Sequence, residues 1–267
     1  MNKKTIIITG STDGIGKLAA IKLANEGHEI FLHGRNANKL KAVVEEIRML
    51  TKNEHTNGLE ADFSDLDAVR EMAQEILQKV SKIDVLINNA GVYNSPVAKN
   101  QDGLDMRYVV NYLAPFVLTN ELLPLLKKGI DPRIINLSSA AQSSVSLDVL
   151  SGIVKLPESE TYAQSKLALT MWSFHLAKSL EGISVIAVNP GSLLNTNMVK
   201  EAFGRFWSSA DKGGDILYEL AIAEKYKGVT GKYYDNDKGS FGQAHPDAYN
   251  DVGVEKLVIA TTSLLGN

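Results

Sequence analysis

The sequence contains no cysteine. That excludes disulfides, thiolate nucleophiles and cysteine-ligated metals. A disulfide-free chain fits a reducing compartment. It also lacks a basic run, and a net charge of −3 gives no bulk attraction to nucleic acid or anionic membrane. No stretch reaches the ~18 consecutive apolar residues that span a bilayer. The start, MNKKTIIITG, holds only Ile6 to Ile8 as an apolar run, against the roughly 7–15 residues of a signal core. Pro-, Gly- or Ser-rich breaks, repeats and low-complexity tracts are absent as well. The five histidines show no ligand spacing, so no metal site is expected. These absences leave a single cytoplasmic domain over residues 1–267 as the expectation, without nucleic-acid or membrane partners.

What is present is an alternation. Short runs that are apolar throughout, at 5–9, 28–33, 83–88, 133–138 and 183–189, alternate with longer amphipathic ones. A weaker strand is expected at 57–61 and a last one at 231–235. Helices are expected at 14–26, 38–50, 65–80, 103–127, 160–180 and 254–265, with 198–226 mostly helical. Strands without polar alternation belong to parallel sheets covered on both faces. Right-handed crossovers then give an α/β fold, a doubly wound parallel sheet of about seven strands.

The first strand runs into TGSTDGIGK. Gly10, Gly14 and Gly16 lie between a strand and a helix, where a tight turn and a free helix N-terminus form a phosphate cradle. The spacing G-x-x-x-G-x-G differs from the familiar G-x-G-x-x-G. An NAD site places a carboxylate about 20 residues further on, to bond the ribose 2′-hydroxyl. Gly34 stands there instead, followed by Arg35 and Asn36. A guanidinium grips a 2′-phosphate in a two-pronged contact, so NADP is expected over NAD. The alternative is that Arg35 is a solvated loop charge.

Two Tyr–Lys pairs share a spacing of four: Tyr162 with Lys166, and Tyr234 with Lys238. On a helix such residues lie on one face, and an ammonium there favours the phenolate. Asp, Asn and Gly around the second pair favour a turn. The first pair opens a long stretch free of Pro and Gly, with Ser159 or Thr161 as a cap. Local chemistry therefore selects Tyr162.

Taken together, TGSTDGIG, ADFSD, NNAG, VVNYLAPF, RIINLSS, TYAQSK and NPG resemble, in order and separation, the short-chain dehydrogenase/reductase family. The resemblance runs from residue 5 to about 195. It implies a Rossmann fold and an oxidoreductase interconverting a carbonyl and an alcohol, a reductase in vivo. Tyr162 would be the acid/base, Lys166 would lower its pKa and bond the nicotinamide ribose, and Ser139 would hold the substrate oxygen. Ser138 is the alternative serine. Asn111 would support a water-mediated proton path to Lys166. Gly10, Ser11, Gly14, Ile15 and Gly16 would face the pyrophosphate, and Asp62 and Phe63 the adenine. Asn89, Ala90 and Gly91 would pass beside the adenosine ribose, with Asn88 a structural brace. Pro190, Gly191 and Leu193 would flank the nicotinamide. The family's threonine falls between Asn195 and Thr196, and either side chain could bond the carboxamide.

The 22 residues between Ser139 and Tyr162 exceed the compact pattern and resemble the longer version of retinol-dehydrogenase-like reductases. They are expected to form a loop at the active-site mouth. A substrate lid is expected over 192–228, with Phe203, Phe206, Trp207 and Tyr218 either lining a bulky apolar pocket or packing the lid itself. Trp172 and Phe174 belong either to the core or to the subunit face of a homodimer or homotetramer. Residues 235–250 read as a polar loop without a role. Two other functions remain in view: a catalytically silent NADP-binding regulator on this fold, and reduction of an activated C=C bond. The wider Tyr–Lys spacing common in enoyl reductases disfavours the second.

Overall fold

A computed structural model describes residues 3–266. Its eight-stranded sheet has the order β3-β2-β1-β4-β5-β6-β7-β8. The strands are β1 (Thr5–Ile8), β2 (Glu29–Gly34), β3 (Thr56–Glu60), β4 (Val85–Asn88), β5 (Arg133–Leu137), β6 (Ser184–Asn189), β7 (Lys232–Asp235) and β8 (Ser240–Gly242). All neighbours pair in parallel except β7 with β8. The doubly wound fold is as expected, with an eighth strand added. β8 has three residues, too short to show periodicity. It forms because the turn after Asp235 folds back to pair Asp235 with Ser240.

Alternate residues of each strand point to opposite faces. Ile6, Ile8, Leu32, Ile87, Ile186 and Tyr234 belong to one core layer, which α1 (Gly14–Asn25), α2 (Ala37–Thr51) and residues 210–226 complete. Ile7, Phe31, Leu86, Ile134, Ala187 and Tyr233 pack on the other face, against α3 (Leu66–Lys79) and the central helices. Both faces are covered, so the strands read as unbroken apolar runs. Asp13, Asn36 and Asp65 cap α1, α2 and α3 through their carboxylate or amide oxygens.

One continuous helix follows β4. It comprises α4 (Met106–Tyr108), a π-helical turn over Val109–Leu113, and α5 (Ala114–Leu126). By length and composition these 21 residues could cross a membrane. Arg107, Asn111, Asn120 and Glu121 keep the segment from being one unbroken apolar run. Here most of the helix is buried in the core, where Tyr112 and Phe116 meet Trp172.

Beyond β5, residues 140–157 are not all loop: α6 (Leu147–Leu150) buries Val149 and Leu150. The long helix α7 (Glu158–Ser179) has Pro157 at its cap position. Neither Ser159 nor Thr161 caps it; Thr161 Oγ1 instead donates to the Pro157 carbonyl at 3.2 Å. Trp172 and Phe174 are core residues of this chain, 1% and 6% exposed.

The segment 198–226 is mostly helical, as expected, but in two pieces. α8 (Asn197–Phe203) ends at Gly204, and α9 (Ala210–Ile222) starts afresh behind a Ser209 cap. α9 packs on α1 so closely that a Cβ at Gly213 would lie 2.6 Å from Ile15 and one at Gly214 2.8 Å from Leu18. It is a layer helix packed on α1. The closing helix α10 (Asp251–Leu264) begins at an Asn250 cap, three residues before the expected start.

Candidate active site

β1 has β2 on one side and β4 on the other, so the strand order reverses beside it. In doubly wound sheets that is where a ligand crevice opens, at the carboxyl ends of the strands. The loop after β1 and the loop after β4 meet there. Asn89 Nδ2 donates to the carbonyls of Thr9 and Gly10 at 2.8 Å each, and Thr9 Oγ1 accepts from the N–H groups of Asn89 and Ala90 at 2.9 Å each. This join leaves no room for side chains. A Cβ on Gly16 would lie 2.4 Å from Asn89 Nδ2, and one on Gly10, where φ is +61°, would lie 2.7 Å from Ala90 Cα. The first-turn N–H groups of Ile15 and Gly16 have no intrahelical acceptor and face the crevice rim. A glycine-walled cradle with free donors fits the pyrophosphate of a dinucleotide.

Some expected cofactor contacts are structural at the side-chain level. Ser11 is fully buried; its hydroxyl donates to Ile8 O at 2.8 Å and accepts from His33 N at 3.0 Å. Phe63 is 3% exposed and stacks on His33 with ring centroids 4.1 Å apart. Only their backbones remain to meet a ligand. Asp62, Arg35, Asn36 and Asn195 are exposed. Asn36 is engaged as the α2 cap, accepting from Lys39 N at 2.9 Å. Arg35 makes no ion pair among the described residues. Gly34 is packed against Thr12, whose methyl would stand 2.5 Å from a Cβ. No acidic side chain fits there while Thr12 keeps its place.

His33 is a residue the sequence reading missed. Its Nδ1 accepts from Gly10 N–H at 3.0 Å, so Nε2 carries the proton and donates to Ala61 O, also at 3.0 Å. The ring thus joins the glycine loop to the end of β3. Burial holds its pKa down to about 4, so it stays neutral at ordinary pH. Nothing in the spacing of histidines reveals this, because both partners are backbone atoms distant in sequence.

The second half of the site lies where β5 ends and α7 begins. Ser138 and Ser139 leave β5 in opposite directions. Ser138 is 3% exposed; its Oγ meets Thr170 Oγ1 at 2.6 Å and donates to the Lys166 carbonyl at 3.2 Å. Ser139 is half-exposed and accepts from Ala141 N–H at 3.1 Å; its hydroxyl stands on the Tyr162 side, where it favours the ionised phenol. The geometry thus brings the second serine, not the first, to the tyrosine. Lys166, one turn along α7, is 4% exposed and donates from Nζ to Leu137 O at 2.8 Å. Its Nζ lies 5.7 Å from the centre of the Tyr162 ring.

Asn111 sits in the π turn of the central helix. Its Oδ1 accepts from Val92 N–H at 2.7 Å, and its Nδ2 donates to Val92 O and Ser165 Oγ at 3.0 Å each. Asn111 and Lys166 both border Gly91, where a Cβ would lie 3.2 Å from Asn111 Oδ1 and 3.4 Å from Lys166 Nζ. π turns often mark functional positions because they re-aim side chains. Asn88 is the brace expected of it, with Nδ2 donating to Asn136 Oδ1 at 2.7 Å and Thr119 Oγ1 at 3.1 Å.

The protonation states differ from the expectation in one respect. Burial dominates at Tyr162 and pushes its phenol above the usual range; the Ser139 hydroxyl acts against it. Burial brings Lys166 down to about 8. Lys166 does not overcome the desolvation of Tyr162, so the phenol of the free protein is held protonated, not poised to ionise.

Pro190, Gly191 and Leu193 form the strand-end loop after β6. The turn between β7 and β8 holds that loop in place. Asp237 accepts from Ser192 N–H at 2.8 Å, Ser192 Oγ at 2.6 Å and Asn189 Nδ2 at 2.9 Å. Burial opposes ionisation there, but these donors and Lys212 outweigh it and hold Asp237 below its usual range. Thr196 Oγ1 caps α8, and its methyl lies beside Gly14, at 3.7 Å from where a Cβ would be. Of the lid aromatics, Phe203 packs on Tyr93, with centroids 5.1 Å apart, and Tyr93 packs on Tyr162 at 4.8 Å. Phe206 and Trp207 are exposed, and Tyr218 is elsewhere, donating to Glu26 on α1's far end at 2.8 Å.

The twin pair is separated by the pleat. Tyr234 points to the sheet face opposite α7, into a cluster with Tyr226 and Phe241, and Lys238 pairs with Asp235 at 3.3 Å.

A doubly wound sheet with a glycine cradle at its switch point, and Ser, Tyr and Lys gathered at the next strand ends, defines a dinucleotide-dependent oxidoreductase. The chain belongs to the short-chain dehydrogenase family, whose sequence pattern matches residues 4–205. It is therefore an NAD(P)-dependent enzyme acting on CH–OH and C=O groups. It is 34% identical to human retinol dehydrogenase 13, over 98% of this chain and 85% of that protein. Identity to human polyprenol dehydrogenase is also 34%, over 88% of this chain and 77% of that protein. A short chain dehydrogenase from Escherichia coli CFT073, solved with NADPH, superposes with a TM-score of 0.73 at 26% identity, covering 88% of this chain and 97% of that one.

Proposed function

We propose that the protein is an NADP-preferring carbonyl reductase for bulky apolar aldehydes or ketones, with Tyr162 as its acid/base group. The observation that carries this reading is the convergence of Ser139, Tyr162 and Lys166 on one half-open mouth beside the dinucleotide cradle. When bound, a nicotinamide supplies the hydride that the carbonyl carbon accepts. As that carbon is reduced, negative charge grows on the substrate oxygen. Ser139 Oγ–H donates to that oxygen and stabilises it. Tyr162 Oη transfers its proton to the same oxygen, completing the alcohol. A phenol held protonated by burial suits this direction, because the step begins with the proton on Tyr162. Lys166, anchored on Leu137 O, keeps a cation near the phenolate that results.

Cofactor preference rests on Arg35 and Gly34. Arg35 is exposed and unpaired, and Thr12 fills the space an acid at position 34 would need. The relative solved with NADPH supports the same choice. Substrate class rests on Tyr93 and Phe203, which wall the approach to Tyr162 with aromatic surface, and on relatives named for apolar isoprenoid alcohols.

Tyr162→Phe removes one oxygen and no packing. Turnover of retinal with NADPH should fall by about 10²–10⁴-fold, the span of a lost general acid. NADPH affinity, read by fluorescence quenching, should stay within about twofold. A variant retaining substantial turnover would remove Tyr162 from the chemistry.

A further inference from the structure

Residues 235–250 read as a polar loop without a role, yet contacts from this loop and from Tyr233 just before it lead to Ser139. The Ser139 carbonyl accepts the Tyr233 hydroxyl at 2.9 Å and Gln142 Nε2 at 2.9 Å. A carbonyl oxygen has two lone pairs, so this one is fully used. Gln142 Oε1 in turn accepts the His245 N–H at 2.9 Å. His245 opens a 3₁₀ turn over Pro246–Tyr249, and the Tyr249 hydroxyl accepts Ala244 N–H at 3.0 Å. The Tyr249 ring lies 5.3 Å from Phe174, on the same helix that carries Tyr162. A circuit therefore runs from the end of β5 through Gln142 and the C-terminal turn to α7.

Ser139 is half-exposed and Ala140 exposed, so this peptide lies at the edge of the core. Tyr233 is instead 4% exposed and fixed by pairing with Ala187 on one side and Gly242 on the other. A donor held that rigidly orients the carbonyl it meets as well as satisfying it. Ser138, bound to Thr170 and Lys166, roots the preceding residue on α7.

We propose that Tyr233 and Gln142 are positioning residues that clamp the Ser139–Ala140 peptide plane and so aim the Ser139 hydroxyl at the substrate oxygen beside Tyr162. The inference rests on the reading of Ser139 as an oxygen donor. It also gives β8 a purpose: the strand fixes Tyr233 from its open side.

Two readouts test it on the full chain. Serine labelled with ¹³C at the carbonyl and alanine labelled with ¹⁵N mark only Ser139–Ala140 and Ser209–Ala210, the two Ser-Ala pairs in the sequence. Tyr233→Phe should move the Ser139 carbonyl carbon upfield and leave the Ser209 signal in place. With NADPH and retinal as probe, kcat should fall about tenfold, the loss expected when one orienting hydrogen bond is removed. KM, NADPH affinity and melting temperature should change little. Gln142→Glu should act alike, since it keeps an acceptor for His245 N–H and loses the donor to Ser139. Tyr234→Phe, on the opposite face, should move neither the signal nor kcat. A shifted signal with unchanged kcat overturns the proposal, as does an unshifted signal. If the native chain reduced no carbonyl probe, the activity reading would fail, while the carbonyl signal would still decide whether the clamp exists.

Discussion

His33 and Tyr162 are both driven by burial toward their neutral forms. For a histidine that lowers the pKa; for a phenol it raises it. His33 titrates near 4 in the fold and near 6.5 when unfolded. Between those values the unfolded chain binds more protons, so stability is complete above about pH 6.5 and is lost as pH falls toward about 4. The shift corresponds to about 3 kcal/mol at most. Unfolding free energies from urea titrations at pH 7 and pH 4.5 should show this loss. In His33→Gln, which offers Gly10 an acceptor that does not titrate, the loss should shrink; equal slopes would refute the assignment. At this scale the sequence exposed Tyr162 and Lys166, because their chemistry and spacing are local, while Ser139 came from the family resemblance with Ser138 beside it as the alternative. It hid His33, whose partners are backbone atoms that only folding brings near, and Gln142, whose link to His245 N–H spans 103 residues.

The elements divide in the same way. Glycine loops and unbroken apolar strands are written in runs of adjacent residues, so β1, β4 and the cradle between them were readable. The π turn at Val109–Leu113 and the three-residue β8 were not, because neither carries a periodicity of its own. The composition of 198–226 looks helical throughout, but Gly204 ends α8, and Gly213 and Gly214 dock α9 on α1. Before that break, Phe203 meets Tyr93 and through it Tyr162. Phe203→Ala should raise KM for retinal by about tenfold, near the upper end of an aromatic pair's contribution, and leave a small aldehyde nearly unaffected. Equal effects on large and small substrates would show that Phe203 only packs the lid.

Across the whole molecule, the proposed cofactor preference rests on the loop after β1, which carries Thr12, meeting the end of β2, which carries Gly34 and Arg35. Binding stabilises the fold in proportion to the logarithm of ligand over Kd. Equal concentrations of NADPH and NADH should therefore raise the melting temperature unequally, NADPH more. Arg35→Ala should reduce the NADPH shift and leave the NADH shift unchanged; a larger NADH shift in the native chain would overturn the preference. The amino-acid order alone determined the doubly wound sheet, the glycine cradle and the Tyr162–Lys166 face, since each depends on period, turn chemistry or a spacing within one helix. Only the tertiary structure decided between equivalent signals. It put Ser139 at the mouth and Ser138 in the core. It sent Tyr233 toward the catalytic helix and Tyr234 away from it, because adjacent residues of a strand face opposite sides of the sheet. And it held Tyr162 protonated, because desolvation depends on everything packed around a group and not on its sequence neighbours.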